Sequence, residues 1–192
     1  MVRQRRALRE QDQWEHDWIW GIRALDLSRL PAQVIWLRLD RDDEFVAAST
    51  AFRRAFDSPD KIDRSFEKLN LHEGIARDAE SIGAEMIVAK YFGIKDFEPT
   101  VGGFKLHADL GGNVEIKWTR YKDGHLLLTD RDRDSDIAIL VTGKSPIYWI
   151  AGWTSVKAAK RPVRKRSDGA YWINQSDLHP IEDLARSVYA IS

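Results

Sequence analysis

The residues best suited to chemistry lie in one run, Asp109-Leu110-Gly111-Gly112-Asn113-Val114-Glu115-Ile116-Lys117-Trp118-Thr119. An acid precedes a glycine-rich turn, and an acid-x-lysine strand follows it. Side chains alternate along a strand, so Val114, Ile116 and Trp118 take one face and Glu115, Lys117 and Thr119 the other. A three-residue loop of Gly111-Gly112-Asn113 pairs Leu110 with Val114 and sets Asp109 opposite Glu115. A two-residue Gly111-Gly112 turn instead pairs Asp109 with Val114 and sends the acids to opposite faces. Loop length therefore decides whether two carboxylates and an ammonium share a surface. Carboxylate oxygens are hard ligands for Mg²⁺ or Mn²⁺, and such an ion polarises a phosphoryl group and lowers the pKa of bound water. A lysine beside it orients or helps deprotonate the attacking water and offsets charge developing on the phosphate.

An acid followed on the next strand by acidic-x-lysine resembles the signature of the PD-(D/E)XK nucleases, matched here by Asp109, Glu115 and Lys117. Many members add a glutamate from the preceding helix. Ser81-Ile82-Gly83-Ala84-Glu85-Met86-Ile87-Val88-Ala89-Lys90 looks like that helix, with Glu85 at the matching position. From residue 83 to about 184 the chain is similar to uncharacterised bacteriophage proteins of this superfamily. The similarity runs through Gly-x-Glu-x-x-x-Ala-Lys, Asp-Leu-Gly, acid-x-basic-x-Thr, Gly152-Trp153 and Leu178-His179-Pro180. The resemblance implies an α+β fold with a restriction-endonuclease-like core, a helix packed on a mixed, mainly antiparallel sheet, and an N-terminal helical elaboration. It also implies a divalent-metal-dependent nuclease that hydrolyses phosphodiester bonds, with DNA the expected substrate. Glu85, Asp109 and Glu115 would hold Mg²⁺ or Mn²⁺, and Lys117 would manage the nucleophile. Two features depart from the family pattern: Ala108 replaces the proline before the first acid, and no crossover helix is legible after the Glu-x-Lys strand.

These residues need a scaffold, and hydrophobic periodicity outlines one. Ile75, Ala76, Ala79, Ile82, Gly83, Met86 and Ile87 share one arc of a helix running to Phe92, with Gly93 as its stop. Gly83 inside that helix implies close approach to other backbone. Trp14, Trp18, Ile22 and Leu25 predict an earlier helix ending before Pro31, Phe45, Ser49, Phe52 and Phe56 a second, and Ile62, Phe66 and Leu69 a short third. The stretch 33–39 reads as either strand or buried helix. Short strands are expected at 104–108, 114–119, 125–129, 136–142 and 147–151, joined as a meander with a tight Asp123-Gly124 turn. A strand at 171–173 and a helix at 180–189 complete the chain. Residues 1–74 are thus expected to be a helical elaboration of the same domain as the 75–192 core.

Composition bounds the function classes. The 192 residues are 43% hydrophobic and 31% charged, the balance of a folded globular chain. Without cysteine there is no disulfide, thiolate metal site or thiol nucleophile. No signal-peptide or membrane-spanning run is legible, so the expected location is the cytoplasm, that of the host if the chain is phage-encoded, with no membrane partner. The 30 basic and 30 acidic side chains cancel, so nucleic-acid contact must come from local clusters. The densest, Lys157, Lys160, Arg161, Arg164, Lys165 and Arg166, reads either as a phosphate-contacting arm or as a solvated loop.

Blander readings stand beside these. Glu115 and Lys117 could be an ordinary polar hairpin face, and Glu80 competes with Glu85, but family position favours Glu85 and leaves Glu80 a surface or structural contact. The alternating Asp130, Asp132, Asp134 and Asp136 lack the glycine and distal glutamate of a calcium loop, leaving a solvated turn. His107 suits a structural role more than a catalytic one, and of the eight tryptophans Trp14, Trp18, Trp36 and Trp118 suit packing. The alternative functions are a catalytically inactive nucleic-acid-binding or phage accessory protein, or a protein-interaction module. A homodimer is compatible with all of them.

Overall fold

The computed structural model describes residues 35–57, 69–101 and 108–187. The chain divides into two compact units, residues 1–33 and 34–192, and every described residue belongs to the second. The helix expected around Trp14–Leu25, all but the last residue of the one expected over Ile62–Leu69, and most of the strand expected at 104–108 lie outside the described residues.

Strand β1 (Ile35–Arg38) resolves the ambiguity of the 33–39 stretch and leads into helix α1 (Arg41–Asp57). Asp40 caps α1 reciprocally: its carboxylate accepts from the Asp43 N–H at 2.9 Å, and Asp43 accepts from the Asp40 N–H at 3.2 Å. Lys90 clamps the same pair, 2.6 Å from Asp43. Helix α2 (Leu71–Tyr91) begins on a full capping box of Asn70 and Glu73. It ends as expected at Gly93, whose φ of 73° suits a residue without a side chain. α1 packs on α2 through Ala47 and Ala51, small residues that let the helices approach, with Ile82 between them.

The expected helical period of α1 is correct, but the aromatic residues that revealed it face outward. Phe45, Phe52 and Phe56 are 74%, 61% and 77% exposed, while Ala47, Thr50, Ala51 and Arg54 are buried. Close packing against α2 selects the small-residue face and leaves the bulky one outside.

Four strands form the main sheet: β1, β5 (Ile147–Ser155), β4 (Ile137–Lys144) and β2 (Val114–Thr119), in that order. β1–β5 and β5–β4 are antiparallel and β4–β2 is parallel, a mixed and mainly antiparallel sheet within an α+β fold. The expected meander is corrected here. β3 (Leu126–Leu128) leaves the main sheet and pairs with β6 (Tyr171–Ile173) in a two-stranded ribbon. The 120–136 connection thus serves as the crossover that parallel strands require, without a helix.

β4 is buried from Ile137 to Gly143, consistent with cover on both faces. One core joins Ile137, Ile139 and Val141 with Val114 and Ile116 of β2, Tyr148 and Ile150 of β5, and Ala84, Ile87 and Val88 of α2. A second joins Ala138 and Leu140 with Leu126, Leu128, Tyr171 and Ile173 of the ribbon, and Val156 and Ala159 of the short helix α3 (Val156–Ala159). Gly83 marks a close approach, but to side chains rather than to the backbone expected: a Cβ there would collide with the Tyr148 hydroxyl and lie 3.1 Å from Leu39 Cδ1. After Pro180 the chain forms a 3-10 segment, Ile181–Arg186, in place of the expected α-helix, with Ile181 and Leu184 buried in the first core. Among the described residues no helix is long and apolar enough to cross a membrane.

Candidate functional site

The glycine-rich link takes the three-residue form. Leu110 and Val114 exchange both backbone hydrogen bonds, at 3.1 and 3.2 Å, across Gly111-Gly112-Asn113. Gly111 takes a φ of 58°, which an L side chain resists. This register sets Asp109 beside β2, where its Oδ2 accepts from the Ile116 N–H at 2.7 Å. Val114 and Ile116 are buried in the core, while Glu115 and Lys117 alternate with them, half-buried and 3.3 Å apart. The parallel ladder to β4 fixes Glu115 against Ala138 and Lys117 against Leu140.

Glu85 enters from α2, on the turn after Gly83, and is buried. Its carboxylate is held by Arg54 of α1, with Nη1 and Nη2 each 3.3 Å from one oxygen. Arg54 is fixed in turn by a 2.7 Å bond from Nε to the Thr100 carbonyl. Lys117 has a second acid, Asp132, 2.8 Å away in the β3–β4 connection. Asp132 is itself positioned by the Thr129 N–H at 2.5 Å and the Thr129 hydroxyl at 3.0 Å.

The electrostatics describe one connected group. Burial first, and Glu85 second, push the Asp109 carboxyl up to about 6, against the opposing pull of the Ile116 N–H and Lys117. Burial also raises Glu85, with Arg54 pulling the other way and Glu115 adding to the rise. Burial and Asp109 together raise Glu115 despite Lys117. Burial alone would lower Lys117, but Glu115, Asp132 and Asp109 outweigh it and hold the ammonium protonated. That state suits Lys117 to orienting water and neutralising charge rather than to removing a proton.

Asp109, Glu115 and Glu85 offer hard oxygen donors, and their mutual repulsion is what a bound cation relieves. The donor chemistry therefore fits Mg²⁺ or Mn²⁺. Among the described residues, however, no three acidic or histidine side chains already stand as a ligand set. Glu85 is engaged by Arg54 and Glu115 by Lys117, so holding an ion requires these side chains to change partners.

The expected basic arm is largely committed inside the chain. Lys160 bonds to the Asp132 carbonyl and, at 2.8 Å, to Asp134. Lys165 bonds to Asp130 at 2.8 Å, and Arg164 lies 3.2 Å from Asp177. Arg166 stacks over the Trp172 ring at 4.2 Å, Arg161 bonds to the Ala158 carbonyl, and Lys157 is exposed. The acidic loop thus pairs with the basic segment. Of the surface and structural roles left to Glu80 the structure shows the second: it accepts from Tyr148 Oη at 2.7 Å and the Ser145 N–H at 2.8 Å. His107 lies outside the described residues.

Two contributors escaped sequence reasoning. Arg54 had a signal, as the long cation on a face otherwise made of Ala47, Thr50 and Ala51. Asp132 was masked by neighbouring acids of similar spacing. In comparison with known proteins, no family model, curated protein or solved structure matches the chain.

Proposed function

We propose that this chain is a divalent-metal-dependent nuclease with a restriction-endonuclease-like core, hydrolysing phosphodiester bonds, with DNA the first substrate to test. The observation that supports this reading is the three-residue loop, which assembles Asp109, Glu115 and Lys117 beside the buried Glu85. In this reading Asp109, Glu115 and Glu85 hold Mg²⁺ or Mn²⁺, which when bound polarises the phosphoryl group and acidifies water. Lys117, kept cationic by Glu115 and Asp132, orients the attacking water and offsets charge growing on the phosphate. Asp132 keeps the ammonium in place, and Arg54 compensates Glu85 until the acids take up the ion.

One observation favours a second reading, a non-catalytic protein on the same scaffold: Glu85 is already neutralised by a guanidinium rather than left open. The deciding experiment incubates purified protein with single- and double-stranded DNA and with RNA, with Mg²⁺, Mn²⁺ or chelator. Cleavage that requires metal and disappears in a folded Lys117→Ala variant supports the nuclease. Cleavage unchanged by that substitution, or no cleavage with any metal, removes it.

A further inference from the structure

The outward face of α1 is an exposed apolar surface that the acid site does not use. Phe45, Val46, Phe52 and Phe56 lie on one side of the helix, around Ser49, and all are exposed. The opposite side, with Ala47 and Ala51, is already spent on α2. Three outward phenylalanines on a helix of 17 residues form a contiguous apolar stripe rather than the scattered exposure ordinary on protein surfaces.

The charges beside the stripe indicate what covers it. Arg41 and Asp42 stand at one end, and Arg53 and Asp57 at the other, all exposed. A parallel pairing of two such helices would set each charge against its own kind. An antiparallel pairing about a two-fold axis at Ser49 sets unlike ends of the helix against each other. It also brings Asp42 within one turn of the second copy's Arg53, while Phe45 and Phe52 interleave across the small Ser49. A two-fold interface needs a surface complementary to itself, and this one is. A membrane surface fits poorly, because amphipathic lipid-binding helices carry a rim rich in lysine and arginine rather than balanced charge.

The geometry points to α1 as a homodimer interface, two copies of the chain packing antiparallel through Phe45, Phe52 and Phe56 with Asp42 and Arg53 paired across the axis. The interface is independent of the proposed nuclease chemistry. At about 25 Å, the helix presents less than the roughly 800 Å² per partner of a standard interface, so the dimer is expected to dissociate on dilution.

Sedimentation velocity and light scattering on the full chain, across a wide concentration range, test it. Wild type is expected to shift from monomer to dimer. Phe52→Glu and Phe56→Gln, at exposed positions that leave the circular dichroism unchanged, are expected to weaken association about tenfold or more. Asp42→Arg and Arg53→Asp are each expected to weaken it, and the double variant to restore it. These residues stand eleven apart on one helix, about 16 Å, too far to pair within one chain. A wild-type monomer at every concentration overturns the interface, as does a dimer indifferent to the phenylalanine variants or a double charge swap that fails to recover association.

Discussion

The guanidinium of Arg54 grips the carboxylate of Glu85 through two 3.3 Å contacts, with both side chains 8% exposed. An arginine from α1 thereby compensates an acid of α2, coupling the first helix to the candidate site. Removing one member of a buried pair leaves an uncompensated charge, a loss of about 3–5 kcal/mol. Arg54→Met is therefore expected to lower the melting temperature markedly in chelator, and Arg54→Met with Glu85→Met to recover most of the loss. If Glu85 can take a divalent ion, Mg²⁺ will raise the melting temperature of Arg54→Met more than that of wild type. Thermal melts with and without Mg²⁺ read all three outcomes.

Asp109 gives a pH dependence of definite sign. Its carboxyl is pushed up to about 6 when folded, against its ordinary value of 3.8, so between these values the folded state holds a proton that the unfolded state has released. Stability from this group is complete below the lower value and falls as pH rises through the upper one. Asp109→Asn keeps an oxygen for the Ile116 N–H and carries no charge. It is expected to stabilise the metal-free protein at pH 7 by about 1–2 kcal/mol and to change little near pH 4. Urea titrations in chelator at the two pH values check this.

Asp132 positions Lys117 without belonging to the acid-x-lysine pattern. Asp132→Asn removes one of the two anions holding the ammonium and leaves Glu115 in place. On the nuclease reading, metal-dependent kcat is expected to fall about tenfold to a hundredfold while KM for the nucleic acid stays nearly unchanged. Restoration by Asp132→Glu would distinguish positioning of Lys117 from a general loss of structure, and steady-state cleavage assays report both constants.

Gly83 makes the contact between α2 and β5. Gly83→Ala drives a methyl into the Tyr148 hydroxyl, the group that donates to Glu80. Overpacking of this kind costs about 1–3 kcal/mol. Tyr148→Phe removes the colliding oxygen, so the double variant should lose less stability than the two single losses combined. A urea denaturation cycle over the four proteins measures the coupling.

Local rules carried much of the architecture. The 3.6-residue period marked α2, alternation marked β2, and Gly111-Gly112-Asn113 was correctly weighed as the element deciding where Asp109 lies. What local rules missed depends on distant partners. The parallel union of β2 with β4 requires β3 to leave for β6, and nothing within residues 126–128 signals that choice. The direction of α1 was hidden because a face of Ala47 and Ala51 is buried by closeness to α2, whereas hydrophobicity alone favours Phe45 and Phe52. Asp132 joins Lys117 only because the β3–β4 connection folds back, a relation with no fixed sequence spacing.

The link between Leu110 and Val114 is also a point of evolutionary fragility. A lineage in which it slipped by one residue, setting Asp109 rather than Leu110 opposite Val114, would keep the ladder from β2 to β4. It would nevertheless turn Asp109 away from Glu115, so a shift of a single position would convert the acid pair into decoration on the same sheet.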